Sequence, residues 1–133
     1  MKSRLWPLLL LILTFSVSAE DTATTQDNYG YYGLEPEIVT NYISSGRRLG
    51  YIRVGVELML KDVNTMELVE HHAPLIRASV VEILGQQSAE KIKSLAGREE
   101  IRRECYDVVN TLLEQETGQE LIANLLFTKY LYD

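Results

Sequence analysis

From Gly50 to Leu60 the sequence alternates without a slip. Ile52, Val54, Val56, Leu58 and Leu60 fall on one side, and Tyr51, Arg53, Gly55, Glu57 and Met59 on the other. Side chains of a strand point to opposite faces in turn, so this run specifies a β-strand with one buried face and one facing water or a partner. The rest of the chain must supply a pairing strand and a cover for the aliphatic row.

The pairing strand is expected at Glu37 to Ile43, entered after Pro36, which suits a strand start or an edge. Ser44-Ser45-Gly46-Arg47-Arg48 is a loop of hairpin length containing Gly. The cover comes next, because the period lengthens from two to about three and a half. Asn64 with Glu67 resembles a capping box, and Val69, Ala73, Ile76, Val80 and Ile83 form one helical stripe. Pro74 should kink or split this helix, and Gly85 can end it. Ser88 can cap a short second helix over Ala89 to Leu95.

A third helix is expected from Gly97 to about Glu116. Ile101, Cys105, Val108 and Leu112 line its apolar face, widened by Val109 and Leu113. Arg98, Glu99, Glu100, Arg102, Arg103 and Glu104 cover its outer face. Gly118 stops it. Asn124 to Tyr132 reads as a closing strand, with Leu125, Phe127 and Leu131 on one face and Leu126, Thr128, Tyr130 and Tyr132 on the other. The fold class is therefore α+β: an antiparallel hairpin, three helices and a C-terminal strand, forming one small sheet packed on helices.

The N-terminus has a separate organisation. Lys2 and Arg4 precede an apolar run from Leu5 to Val17, and Val17-Ser18-Ala19 places small or modest side chains before Glu20. That is the layout of a secretory signal peptide cut between Ala19 and Glu20. The rival is an uncleaved single-pass inner-membrane anchor, but residues 5–19 fall short of the roughly 20 apolar residues a spanning helix needs. Cleavage would take the net charge from −6 to −8, by removing Lys2 and Arg4. Residues 20–33 are expected to be a flexible leader. Its Tyr29-Gly30-Tyr31-Tyr32-Gly33 end favours turns, with tyrosine rings partly docked on the domain formed by residues 34–133.

Chemistry is harder to find. An acidic balance argues against nucleic acid, whose phosphates require clustered Lys and Arg. His71 and His72 are adjacent, about 100° apart on a helix, and so do not converge on one metal. Cys105 lies on an apolar stripe, where a thiol behaves as a small hydrophobe rather than a nucleophile. No Gly-rich phosphate loop, G-x-S-x-G or H-E-x-x-H occurs. No catalytic residue, metal, cofactor or small-molecule substrate is indicated, and an interaction module remains.

Several segments carry a family resemblance. They are Tyr32-Gly33-Leu34-Glu35-Pro36 leading to Val39, Gly46-Arg47-Arg48-Leu49-Gly50-Tyr51-Ile52-Arg53-Val54, and the Glu57-Leu58 strand. Pro74-Leu75-Ile76-Arg77 with the run to Leu84, Glu99 to Leu113, and Leu125-Leu126-Phe127-Thr128-Lys129-Tyr130 complete the set. In this order they resemble the flagellar basal-body-associated FliL family, with Lys129 where an acidic residue is common. The resemblance implies a stomatin-like α+β domain in the periplasm, at the inner-membrane face of the flagellar basal body. It implies association with the stator proteins MotA and MotB, and with itself or a membrane-anchored relative as a ring. It implies support of flagellar rotation and motility without catalysis.

The expected partner surface is the outer side of the second strand (Tyr51, Arg53, Glu57) or the charged face of the third helix (Arg102, Arg103); plain solvent exposure accounts for the same residues equally well. The alternative function is a general periplasmic scaffold or binding domain that shares the fold without a motor role.

Overall fold

The computed structural model describes residues 27–44, 46 and 48–133. The signal segment, its boundary at Ala19 and Glu20, and the leader as far as residue 26 lie outside the described residues. Four strands and four helices follow one another as β1 (Gly30–Gly33), β2 (Ile38–Tyr42), β3 (Gly50–Leu60), α1 (Met66–His71), α2 (Ala73–Gly85), α3 (Ala89–Lys93), α4 (Leu95–Thr117) and β4 (Ile122–Tyr132). The architecture is α+β, and the sheet is antiparallel throughout.

β3 is the centre of the sheet. β4 pairs along its length on one edge, from Ile52↔Tyr132 to Leu60↔Ile122. On the other edge β2 pairs with the first half (Ile38↔Val54 to Tyr42↔Gly50) and β1 with the last residues (Gly30↔Leu60 to Gly33↔Glu57). The hairpin expected from the sequence is β2–β3. The Tyr-Gly segment is not a turn-rich part of a leader: Gly30–Gly33 is a strand. Its alternation is only four residues long, so the deciding contact is tertiary, with Tyr31 turned outward and Tyr32 packed against the core.

The aliphatic row of β3 faces the helices as its pattern requires. Ile52, Val54, Leu58 and Leu60 are no more than 1% exposed and meet Val69, Ile76, Val80 and Leu84 from α1 and α2 and Ile101, Val109 and Leu113 from α4. Pro74 does split the first helical stretch, and it occupies the first turn of α2, where its missing N–H would be unpaired in any helix. The start is capped differently from the Asn64–Glu67 box. A 3₁₀ turn over Val63–Thr65 comes first, and the Asp62 carboxylate accepts from the Asn64 N–H at 2.9 Å.

Two readings of the apolar faces are corrected. On α4 the buried row is Ile101, Cys105, Val109 and Leu113, in steps of four, while Val108 is 41% exposed and Leu112 only half-buried. Steps of four drift slowly around a helix, and here they follow the sheet and α2 beneath it. On β4 the register shifts opposite Gly55/Val56, where Phe127 pairs with Val56 and Lys129 with Gly55, leaving Thr128 extra. Such a bulge reverses the in/out parity. Leu125 and Phe127 face the helices before it and Tyr130 after it, while Leu131 turns outward and is 55% exposed.

Candidate functional site: the outer face of the sheet

The described helices cover one face of the sheet. On the other, β2, β3 and β4 bring Val39, Arg53 and Leu131 into one row, since Val39 pairs with Arg53 and Arg53 with Leu131. Tyr51 stands in the next row, paired with Asn41. Val39 (58% exposed), Leu131 and Tyr51 (49%) leave apolar surface in water, and with Arg53, Tyr132 and Asp133 they line a shallow groove. Large side chains exposed together in this way mark contact surfaces more often than single ones do.

Charge on this face is arranged around Glu37. Its carboxylate meets Lys129 Nζ at 2.6 Å and Arg53 Nε at 3.9 Å. The Arg53 side chain is 55% exposed, so the long contact with Glu37 adds little stability and leaves its guanidinium accessible. Asp133 closes the end of the groove: its carboxylate accepts from the Tyr51 N–H at 2.8 Å, and its carbonyl accepts from the Tyr42 hydroxyl.

The residues singled out from the sequence are thus not one patch. Tyr51 and Arg53 share the groove. Glu57 is on the same face but half-buried, in a separate hollow with Gly33, Glu35, Glu37 and Thr128, roughly 13 Å along the strand from Arg53 at ~3.3 Å per residue. Val39 and Leu131 were missed. Val39 was legible as an outward position of its strand once the register was known, whereas Leu131 was hidden by the bulge.

On α4 the adjacent arginines diverge. Arg102 is spent inside the chain: Nε and Nη2 hold the two oxygens of Glu99 at 2.8 and 2.6 Å, and Nη1 donates to Asn124 Oδ1 at 2.9 Å and the Leu125 carbonyl at 3.0 Å. It ties α4 to β4. Arg103, 73% exposed, meets only the Glu99 carboxylate among the described residues, at 3.2 Å. Hydrogen bonds from Arg102, aided by Arg103, hold the Glu99 carboxyl down at about 2.

Other titratable groups sit where they do structural work. Cys105 is fully buried, and desolvation pushes its thiol up to about 12. His72 joins α1 to α2 with Nδ1 2.8 Å from the Leu68 carbonyl oxygen, and His71 meets it edge-on at 5.2 Å between ring centroids. Among the described residues no three His, Cys, Asp or Glu side chains gather where they could hold a metal ion. Nor is any described helix long and apolar enough to cross a membrane.

The described sheet thus has one face packed on helices and the other bearing an apolar groove with the accessible guanidinium of Arg53. Comparison with known proteins gives the family. Residues 31–132 match the family model of the flagellar basal body-associated protein FliL, and the chain belongs to that family. It is also 26% identical over 99 residues to the flagellar protein FliL of Aquifex aeolicus (strain VF5); the match covers 74% of this chain and 58% of that protein. The chain therefore spans little more than half the length of the curated relative it matches.

Proposed function

We propose that this protein is a non-enzymatic accessory of the flagellar motor, acting in the periplasm at the basal body. It associates with the stator units and with further copies of itself or a membrane-anchored relative, and supports rotation and motility. The observation that carries the reading is the family match, which runs from the second residue of β1 to the last of β4 and so takes in the described sheet but for Gly30, together with its helices. The outer face supports a mechanism by contact, since Val39, Tyr51, Arg53 and Leu131 offer apolar area with one cation at its centre, the composition of a partner-binding surface.

The test is genetic. Deletion of the gene should impair swimming in viscous medium while filaments still assemble, and Arg53→Glu should reproduce the defect with normal protein levels. Unchanged motility under load in the deletion strain overturns the motor role.

A further inference from the structure

β4 lies at the edge of the sheet, and its two halves end differently. The Val56 carbonyl accepts from the Leu34 N–H on the β1/β2 side, and the Tyr51 carbonyl accepts from the Asp133 N–H on the β4 side. With that alternation, an antiparallel ladder turns the backbone N–H and C=O of Leu125, Phe127, Tyr130 and Tyr132 away from β3. At Leu125 both groups are closed by side chains: its N–H donates to Asn124 Oδ1 at 2.9 Å, and its carbonyl accepts from Arg102. From Phe127 onward, no described residue bonds the outward backbone groups of Phe127, Tyr130 or Tyr132.

We infer that this open half-edge takes an acidic, extended polypeptide segment of a partner protein as an added strand. Unpaired edge groups are a template for another extended chain, and the side chains flanking them choose which one. On the helix side the flank is cationic. The Arg98 guanidinium lies 4.8 Å over the Tyr130 ring and Lys93 Nζ 5.8 Å from the centre of the Tyr132 ring; neither cation forms an ion pair within the described residues. On the outer side the flank is Leu131, exposed and apolar. An incoming strand therefore presents carboxylates toward Lys93 and Arg98 and aliphatic side chains toward Leu131, alternating at period two. Closure at Leu125 limits the added strand to the C-terminal half of β4, from Phe127 to Tyr132. The inference rests on the contact mechanism proposed above, but the edge itself is tested without the motor.

The full chain is mixed with a blocked peptide of alternating Glu and Val, and amide exchange and backbone shifts are followed by NMR. Protection should rise at the Phe127, Tyr130 and Tyr132 amides. The same peptide N-methylated at a single edge-facing backbone amide should bind about ten-fold more weakly, the size of one lost bond with its orphaned partner. Tyr132→Pro removes one outward N–H without touching the ladder to β3, and should weaken binding by a similar factor relative to Tyr132→Ala, which loses the same ring and its contacts with Lys93 and Tyr130. Lys93→Glu with Arg98→Glu should reverse the preference toward a peptide of alternating Lys and Val.

Equal binding of the N-methylated peptide overturns the inference, as does no binding at millimolar peptide, or shifts confined to Val39, Tyr51 and Arg53. A dimer of the free chain that Tyr132→Pro dissolves assigns the edge to a second copy and overturns the proposed occupant. Peptide binding with normal motility in the deletion strain keeps the edge and removes the motor.

Discussion

The two faces of β3 carry side chains of similar size in opposite circumstances. Leu58 and Ile52 are sealed under α1, α2 and α4, while Tyr51 and Arg53, one residue away from Ile52, stand in water with Val39 and Leu131 beside them. The inner face is what makes the domain fold, because each aliphatic side chain buried there contributes about 1.5–3 kcal/mol relative to exposure. The outer face contributes little to folding.

Substitution on each side separates these roles most clearly. Leu58→Ala should cost about 2–5 kcal/mol, the sum of lost transfer energy and a cavity that the surrounding helices cannot fill. Tyr51→Ala should cost no more than about 0.5 kcal/mol, as expected for a surface position. Urea unfolding of the two variants measures both. A Tyr51→Ala cost approaching that of Leu58→Ala would mean that the outer face is buried in an assembly of the free protein, and the contrast between the faces would not hold.

The same contrast recurs, smaller, in the neighbouring arginines of α4. Arg102→Ala should destabilise by about 1–3 kcal/mol, because it leaves the Leu125 carbonyl without its donor beside the sheet edge and Asn124 Oδ1 with the Leu125 N–H alone. Arg103→Ala should change stability by about 0.5 kcal/mol or less, since it loses only an exposed pair. Equal costs would show that Arg102 does not tie helix to strand.

Periodicity made the inner face readable and left much of the outer one unread. The strict alternation of Gly50–Leu60 located the core strand and its hairpin partner, and Pro74 marked the break between α1 and α2, because both are local effects of backbone geometry. The strand at Gly30–Gly33 could not be read, since four residues carry almost no period and the pairing with Leu60 and Glu57 closes over a distant part of the chain. Parity failed at Leu131 for a similar reason. The bulge at Thr128 depends on Gly55 across the ladder, where an added Cβ would lie 2.6 Å from Thr128 Oγ1, and nothing within β4 itself announces it. Arg102 was grouped with Arg103 as an outer charge because its partners, Asn124 and Leu125, are brought to it only by the fold.

Burial also decides what the one thiol can do. Cys105 sits on the inner side with its thiol held near 12, so at pH 8 a thiol reagent should label the native chain only as fast as the chain unfolds. In rising urea the labelling rate should follow the unfolding curve. Rapid labelling of the folded chain would place Cys105 on an accessible surface and join it to the outer residues.

The smallest effect expected is that of Glu99, and its sign follows from its environment. Its carboxyl is lowered from 4.5 to about 2, chiefly by the hydrogen bonds from Arg102. A group whose pKa is lower folded than unfolded stabilises the fold above its unfolded pKa, and loses that contribution as pH falls through the folded one. The stability difference between the native chain and Glu99→Gln should therefore be constant from pH 7 to about 5, shrink as pH falls below 4.5, and be nearly gone at about 2. Because Glu99 is only half-buried, the difference should also shrink in 1 M salt, where screening acts over ~3 Å. Removing Arg102 should move the whole decline to higher pH, while removing Arg103 should move it only slightly. A profile that follows Arg103 instead would show that the outer arginine, and not Arg102, holds the Glu99 carboxylate.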